Sequence, residues 1–462
     1  MQRLLVFFLT VTALGLSSLH AQFQYVLYDT DGIPPSVYAA RRDSVVKKLG
    51  TTSVLAVVAA DVRNRENDVD HEYRQDSDLL YLTGYPDPGA TLLIVPAGIE
   101  IDGTKHTSVL FTRERRREQE QWTGLVMGPA EATKVLGIMA RPVSELKATL
   151  EKVLASADSL VVPSLPTVML PLPLGAAPVT AVKELTKHLA SAYPNLKVKT
   201  SFPRLAAMRE VKDTAEIRLL RKAIAISIEG HLAAIKKAKP GSYEYQVEAD
   251  IEHGFKHHGA EDVGYPSIVG SKYNACILHY TTNRRKTNPG DLILADCGAE
   301  YHGYTADITR TFPVSGRYTK EQRTLYDVVL EAQDSGIAAA KVGAPFNAMH
   351  GAAKSVITRR LTELGIVKDA AEVSKYFMHG TSHYLGLDVH DPGTYGPLRP
   401  GVVVTVEPGI YIAEDSPCDR KWWNIGIRIE DDILVTEQGP ENMSVALPRA
   451  AAEIEALMHA QP

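Results

Sequence analysis

Three strand-like segments in the second half of this chain each lead into a carboxylate. Asp296 closes the apolar run 292–295, Glu407 follows a Val-rich run, and Glu430 ends an alternating segment at 425–430. A carboxylate in an apolar setting is costly unless it is paired or bound to a cation. The fold must therefore provide several buried carboxylates with a charged partner or a bound cation, and this requirement limits which folds the chain can adopt.

The alternating segment predicts a strand with two different faces. Three isoleucines at 425, 427 and 429 alternate with Gly426, Arg428 and Glu430. Because side chains along a strand point to opposite faces in turn, the isoleucines share one face and the other three residues share the second. Gly426 leaves room there for a close approach.

A further carboxylate, Asp307, follows Asp296 after eleven residues. If a hairpin turns at residues 301–302, the two aspartates lie directly opposite each other as a cross-strand pair. Two carboxylates so placed repel each other unless a cation lies between them. This pattern favours a metal site, although a chance pair on a sheet surface is the alternative.

Three histidines, His379, His383 and His390, fall within twelve residues. Four carboxylates and an imidazole are the ligand chemistry of a two-metal hydrolytic centre, in which bound water loses a proton near neutral pH. Oxygen-rich ligation suits Mn²⁺, Co²⁺ or Fe²⁺ as readily as Zn²⁺. The sequence contains no His-Glu-x-x-His helix, nucleophile elbow or Gly-rich phosphate loop that would favour another chemistry.

The N-terminus predicts export. Arg3 precedes an uncharged, mostly apolar run at residues 4–16, and residues 1–21 are typical of a secretory signal peptide. We therefore expect a secreted or periplasmic protein. The uncharged segment 160–182 contains five prolines, which forbid a spanning helix, so we expect no membrane span after the signal is removed.

Two domains are predicted after the signal. Residues 22–200 alternate strand and helix patterns, which indicates an α/β domain, and residues 201–450 form a second unit of long helices and strands. The net charge of −5 gives no electrostatic reason to expect a nucleic-acid partner.

Several motifs, taken in order, resemble one known family. The sequence is similar to the pita-bread metallopeptidases, specifically to their Xaa-Pro aminopeptidase (aminopeptidase P) branch. The resemblance implies an α/β two-domain fold, with a creatinase/aminopeptidase P N-terminal-like domain followed by a C-terminal α+β pita-bread catalytic domain. The motifs that carry it are residues 73–84, 265–270, 277–280, 296–298, 303–311, 379–391, 406–409 and 428–431.

The resemblance also implies how the metal ligands divide. Asp296 would hold one divalent ion, His383 and Glu407 the other, and Asp307 and Glu430 would bridge the two. Glu407 would also carry a proton to the leaving nitrogen. The two ions would be Mn²⁺ by preference, with Zn²⁺, Co²⁺ or Fe²⁺ as alternatives.

The remaining site residues follow from the same resemblance. His279 and His390 would bind substrate and stabilise the carbonyl oxygen, while His379, Arg428 and Tyr411 would line the pocket for proline and the following chain. The implied substrates are peptides with proline at the second position, which a metal-bridged hydroxide would cleave. The implied assembly is a homo-oligomer, a dimer or a tetramer.

Two alternatives stay open at this level. A prolidase shares the metal ligands but accepts only Xaa-Pro dipeptides, and the loops beyond the proline pocket decide between the two. A non-catalytic binding protein of the same fold is the more remote alternative, because such relatives lose ligands that this chain keeps.

Overall fold

The computed structural model describes residues 30–162, 192–199 and 203–459. The predicted signal peptide and most of the Pro-rich segment lie outside these ranges. The α-helices of the described residues are α1 Pro35–Lys48, α2 Ser77–Thr83, α3 Arg117–Thr123, α4 Pro129–Leu136, α5 Leu146–Leu154, α6 Pro203–Glu210, α7 Thr214–Lys237, α8 Glu244–His257, α9 Lys320–Ala339, α10 Ala348–Glu363 and α11 Ala451–His459.

The strands divide between the two domains. Those of the first domain are β1 Ser53–Val58, β2 Asn64–Glu66, β3 Val69–Asp70, β4 Thr91–Ile101, β5 Thr104–Thr112, β6 Ala140–Pro142, β7 Ser159–Val161 and β8 Lys197–Lys199. Those of the second are β9 Asp262–Val263, β10 Ile268–Ser271, β11 Leu292–Asp296, β12 Ala299–Tyr301, β13 Tyr304–Thr305, β14 Thr309–Pro313, β15 Val403–Val406, β16 Gly409–Ile412, β17 Ile425–Arg428, β18 Asp431–Thr436 and β19 Gly439–Asn442.

The first domain is built on a mixed six-stranded sheet with the order β6-β5-β4-β1-β7-β8. The central strand β1 is apolar from Val54 to Val58 because both of its faces are covered. Leu55 and Val57 pack into the main core with α1 and α2, while Val54 and Ala56 pack on the opposite face with α5. The predicted α/β architecture of this domain is confirmed.

The second domain repeats one arrangement twice. The packed helices α7 and α8 precede the antiparallel sheet β10-β11-β14, and the packed helices α9 and α10 precede the sheet β15-β18-β19. Local sequence sets the helix ends: Asp213 and Thr319 each begin a helix with a capping box, which satisfies backbone N–H groups at the first turn. Among the described residues, no helix is long and apolar enough to cross a membrane.

The hairpin that carries the two aspartates has a different register from the predicted one. The turn lies at His302 and Gly303, with φ of 49° and 79°, so Asp296 pairs with Thr309 and not with Asp307. Two consecutive residues with positive φ are what a tight hairpin turn requires. The shift by two residues keeps Asp307 on the same face as Asp296, where it is a diagonal neighbour.

The two-faced strand is confirmed. All three isoleucines of the 425–429 segment lie in the main core, and Arg428 points to the opposite side. The space beside Gly426 is filled by the chain itself, since a Cβ there would lie 2.1 Å from the carbonyl oxygen of Ala275. The glycine therefore allows two backbones to approach and does not open a ligand site.

Candidate active site

Four carboxylates converge between the two repeated halves of the second domain. Asp296 ends β11 and Asp307 precedes β14, while Glu407 follows β15 and Glu430 precedes β18. Each half thus contributes two acids from the ends of its strands. Asp296, Asp307 and Glu430 are all less than a tenth exposed, which makes their mutual approach an electrostatic problem that the site must resolve.

Asp296 and Asp307 share one hydroxyl group. Tyr265, in the loop before β10, has its Oη 2.6 Å from an Oδ1 atom of each aspartate. A single phenol proton can be donated to only one acceptor at a time. The phenol therefore holds the pair together but, being neutral, does not balance its negative charge.

Arg428 supplies the fixed positive charge on one side. Its Nη2 lies 2.5 Å from Oδ2 of Asp296, its Nε donates to Thr309 Oγ1 at 3.1 Å, and its Nη1 donates to Tyr411 Oη at 2.9 Å. The Thr309 hydroxyl in turn donates to Glu430 Oε2 at 2.6 Å. One guanidinium thereby fixes Asp296 at the end of its strand, the buried Tyr411 and the threonine beside Glu430.

A histidine extends this chain of hydrogen bonds towards the surface. His379 Nε2 lies 2.9 Å from Tyr411 Oη, and its Nδ1 lies 2.6 Å from the carbonyl of Gly380, to which it donates. Burial and the charge of Arg428 lower the pKa of His379 to about 4. It is therefore a neutral ring at physiological pH, with Nε2 accepting from the tyrosine.

His383 faces the carboxylates with one ring nitrogen. Its Nδ1 donates to the carbonyl of Tyr384 at 3.0 Å, and its Nε2 lies 3.3 Å from Asp307 Oδ2 and 3.7 Å from Glu407 Oε1. Asp307, His383 and Glu430 each offer a ligand atom, and these atoms all lie within 4.8 Å of one another. A backbone hydrogen bond that orients the far nitrogen is typical of a metal-binding histidine.

The protonation of this cluster reflects its excess of negative charge. Burial, opposed by His383 and Arg428, raises the pKa of Glu407 to about 7. Burial and the neighbouring acids also raise the pKa values of Asp307 and Glu430 above their ordinary range. Although burial opposes it, Asp307 and Glu407 raise the pKa of His383 to about 9. Divalent cations would replace these protons, so the donor set fits such ions.

The exposed histidines His279 and His390 flank this centre at the surface. The rings of His383 and His390 meet edge to face with centroids 4.3 Å apart. Partial burial lowers the pKa of His390, and charge on His383 and on the exposed His279 lowers it further. Both flanking histidines are accessible to a ligand that approaches the carboxylates from solvent.

Comparisons with known proteins agree with this geometry. A model described as metallopeptidase family M24 matches residues 218–437, and one described as the aminopeptidase P N-terminal domain matches residues 38–162. The Xaa-Pro aminopeptidase of Escherichia coli K12 is 38% identical over 438 residues, which cover 91% of this chain and 97% of that protein. The Haemophilus influenzae enzyme of the same name is 37% identical over 444 residues, which cover 92% and 98%.

This chain belongs to metallopeptidase family M24, in its aminopeptidase P branch. Escherichia coli aminopeptidase P with the inhibitor Pro-Leu has a similar structure, with a TM-score of 0.83 at 38% identity, covering 93% of this chain and 99% of that one. A zinc-substituted form of that enzyme in complex with product matches equally well, with a TM-score of 0.83. The predicted family and two-domain fold are confirmed, and the chain is a metallopeptidase.

The structure brings most of the predicted site residues of this M24 member together, but not all of them. The structure brings Asp296, Asp307, His383, Glu407 and Glu430 into one cluster, with Arg428, Tyr411 and His379 linked to it by hydrogen bonds. His390 reaches the cluster through its ring contact with His383. His279 makes no hydrogen bond to the cluster within the described part of the chain. The roles assigned to all ten residues stay predictions.

Sequence reasoning did not identify two contributors to the site. Thr309 lies two residues after Asp307, and the period of a strand could have assigned it to the same face. Tyr265 had no such signal, because it reaches the aspartates from a loop that is 31 residues before Asp296. Only the packing of that loop against the hairpin brings its hydroxyl to the acids.

Proposed function

We propose that this chain is an exported Xaa-Pro aminopeptidase that uses two divalent cations, preferably Mn²⁺, to remove the first residue from peptides with proline at the second position. The single observation that supports this most strongly is the convergence of four carboxylates and His383 in one buried cluster with too few fixed positive charges. The names of the curated relatives point to the same activity.

The proposal assigns the ligands as the family pattern does. Asp307 and Glu430 would bridge the two ions, Asp296 would complete the first, and His383 with Glu407 would complete the second. Bound divalent ions supply Lewis acidity for the scissile carbonyl and generate a nucleophile from water at neutral pH. Arg428 and Tyr265 orient Asp296, so that its carboxylate is preorganised for a ligand role.

We assign the proton shuttle to Glu407, which lies between two histidine rings. Its Oε1 is 3.7 Å from His383 Nε2, and its Oε2 is 3.6 Å from His379 Nδ1. A carboxylate between these two rings can take a proton from the attacking water and deliver it to the leaving nitrogen of proline. We assign His279 and His390 to the carbonyl oxygen, since donors that face the developing charge lower the barrier.

Proline selectivity has a physical reason in this assignment. An Xaa-Pro bond is a tertiary amide without an N–H group, and its ring fixes φ, so ordinary peptidases fit it poorly. The neutral His379 ring and Tyr411, joined at 2.9 Å, offer a rigid wall for the pyrrolidine ring. The rigid Xaa-Pro bond, which fits ordinary peptidases poorly, would thus be selected by a pocket shaped for the proline ring.

The test is product analysis by mass spectrometry on the purified mature protein. An Xaa-Pro dipeptide and an Xaa-Pro-Yaa tripeptide are each incubated with chelator and then with Mn²⁺ restored. Release of the first residue from the tripeptide only when metal is present would support the proposal. Cleavage of the dipeptide alone would favour a prolidase, and no cleavage with metal bound would favour a non-catalytic protein.

Location and assembly complete the proposal. We infer export to the periplasm or the medium from Arg3 and the apolar run after it. N-terminal sequencing of the protein recovered after cell fractionation tests this, and an intact Met1 in the cytosol would contradict it. We also propose a homo-oligomer, a dimer or a tetramer, which light scattering of the purified protein tests.

A further inference from the structure

A second buried cluster of charges lies where the two domains meet. Arg209, on α6, contacts three carboxylates: Nη1 is 2.8 Å from Asp78 Oδ1, and Nη2 is 2.7 Å from Asp388 Oδ2 and 2.5 Å from Asp391 Oδ1. Lys212 lies 2.9 Å from the other oxygen of Asp391. We call Asp78, Arg209, Lys212, Asp388 and Asp391 the junction cluster.

Asp391 is the centre of this cluster. Its carboxylate is 3% exposed, and it also accepts the backbone N–H of Asp388 at 3.1 Å. Its own N–H donates to the carbonyl of Tyr384 at 2.9 Å, which closes the loop 384–391. Although burial opposes it, Lys212 and Arg209 hold the pKa of Asp391 below its ordinary value. Asp391 is thus a fixed anion that the loop folds around.

The same loop connects two residues of the active site. His383 immediately precedes it and His390 is its next-to-last residue, with the two rings 4.3 Å apart. His390 itself is exposed and makes no hydrogen bond to the carboxylate centre within the described ranges. Its orientation therefore depends on the ring contact with His383 and on the backbone of the loop, which Asp391 holds.

The first domain reaches this loop directly. Asp78 holds Arg209, and the Ser77 hydroxyl donates to Asp388 Oδ1 at 2.6 Å. Arg74 donates to the carbonyl of Leu387 in the same loop. All three side chains come from the segment that begins α2. The N-terminal domain thereby contacts the loop directly at Leu387 and Asp388, and it reaches Asp391 indirectly, through the ion pair of Asp78 with Arg209.

We propose that Asp78, Ser77 and Arg209 are positioning residues for His390, so that the N-terminal domain of this chain holds a histidine of the active site in place. The inference rests on the proposed function, in which His390 stabilises the reacting carbonyl oxygen. A displacement of about 1 Å of such a group can lower a rate by about 100-fold. Loosening the junction should therefore reduce kcat and leave KM nearly unchanged.

A double-mutant cycle with Asp78→Asn and His390→Ala tests the proposal. Asparagine keeps the shape of the side chain but removes one of the three negative charges that contact Arg209, the one that the N-terminal domain supplies. We expect Asp78→Asn to lower kcat about 10-fold, and His390→Ala to lower it by about 100-fold or more. If Asp78 acts through His390, the double variant should be no slower than His390→Ala alone, since coupled residues are non-additive.

The matched control is Asp213→Asn. Asp213 is also an acid between the domains, 2.7 Å from Arg41 of the N-terminal domain, but among the described residues its side chain forms no hydrogen bond or ion pair with the 384–391 loop. Asparagine retains its helix-capping role. We expect kcat within 2-fold of the wild type, which separates loosening of the domains in general from loosening of the loop.

Each outcome decides between the assignments. Equal kcat values for Asp78→Asn and Asp213→Asn, or additive losses in the double variant, would overturn the positioning role while leaving the proposed function intact. A normal rate for His390→Ala would overturn both this inference and the assigned role of His390. If Asp78→Asn does not fold, Ser77→Ala removes a single hydrogen bond, and a kcat loss of about 3-fold that disappears in the His390→Ala background would support the proposal.

Discussion

The active-site cluster and the junction cluster each bring several carboxylates together, with Asp391 the buried one at the junction, yet they balance the charge in opposite ways. At the junction, Arg209 and Lys212 are themselves buried and contact the acids directly. In the described part of the active site, the one ion pair between an arginine and an acid is that of Arg428 with Asp296. The remaining acids of that site are Asp307, Glu407 and Glu430.

The difference separates a structural from a functional use of buried charge. A buried carboxylate that only has to stay in place can be neutralised by the chain's own cations, which are permanent. A site that must bind a divalent ion has to leave its acids without such partners, and raised pKa values are the result. The protein therefore stabilises the loop of His390 with fixed cations and keeps the adjacent centre ready for metal.

The largest expected effect comes from a bridging acid. Asp307→Asn should lower turnover by at least about 1000-fold, because the residue would serve both ions. The measurement combines peptide hydrolysis with metal analysis of the purified variant. Asp327→Asn changes a half-exposed acid paired with Arg323 on α9; it is the control and should behave as the wild type. Near-normal rate and metal content for Asp307→Asn would refute the bridging assignment.

At the junction, removal of Arg209 should lower the free energy of unfolding, by an amount comparable to the free energy that corresponds to the rate loss of Asp307→Asn. Arg209→Met should reduce the free energy of unfolding by about 3–5 kcal/mol, because the partly buried Asp78 loses its arginine and the buried Asp391 retains only the charge of Lys212. Urea denaturation measures this. Arg141→Met, which removes a partly exposed ion pair with Glu145, is the control and should cost less than about 1 kcal/mol. A loss of that small size for Arg209→Met would break the comparison.

Metal binding should stabilise the protein through the active-site cluster and should not depend on the junction cluster. Addition of Mn²⁺ to the chelator-treated protein at about 100 times its dissociation constant should stabilise the fold by about 2.7 kcal/mol. The thermal midpoint in a calorimeter measures this gain. Asp307→Asn should lose most of it, whereas Asp78→Asn should keep it. An equal gain in both variants would mean that the ion binds elsewhere.

A smaller effect is expected at Asp213, another charged contact between the domains. Asp213 lies 2.7 Å from Arg41 but is partly exposed, and it also caps α7. Asp213→Ala should reduce the free energy of unfolding by about 1 kcal/mol, mainly through loss of the cap. Asp213→Asn should recover most of this in the same denaturation assay. If both variants were equally destabilised, charge and not capping would be the main contribution.

The smallest effect should depend on pH. His302 lies 2.9 Å from Asp31 and 3.1 Å from Glu261, which raise its pKa although burial opposes them. Its contribution to stability is thus complete below the unfolded pKa of about 6.5 and is lost as pH rises through the higher folded value. The stability difference between wild type and His302→Gln should be below about 1 kcal/mol and should shrink from pH 6 to pH 9. A difference that grows with pH would contradict this.

Local sequence was sufficient wherever the signal lay within one element. The run 292–295 predicted a strand that ends in Asp296, and the alternation at 425–430 predicted a second strand with two different faces. The capping box that begins α7 likewise involves only Asp213 and Glu216, three residues apart. These signals work because periodicity and capping are properties of neighbouring residues. The turn at His302 and Gly303 was the exception, since the sequence did not reveal which two residues adopt positive φ.

By itself, then, the sequence determined the fold class, the family and the set of acids and histidines that form the site. Only the tertiary structure decided that Tyr265 joins Asp296 to Asp307, and that Arg209 joins the N-terminal domain to Asp391 across 182 positions of the chain. The physical reason is that pairing between distant charges depends on how whole elements pack. No periodicity or spacing within one segment encodes which buried acid receives a cation from the chain and which is left for a metal.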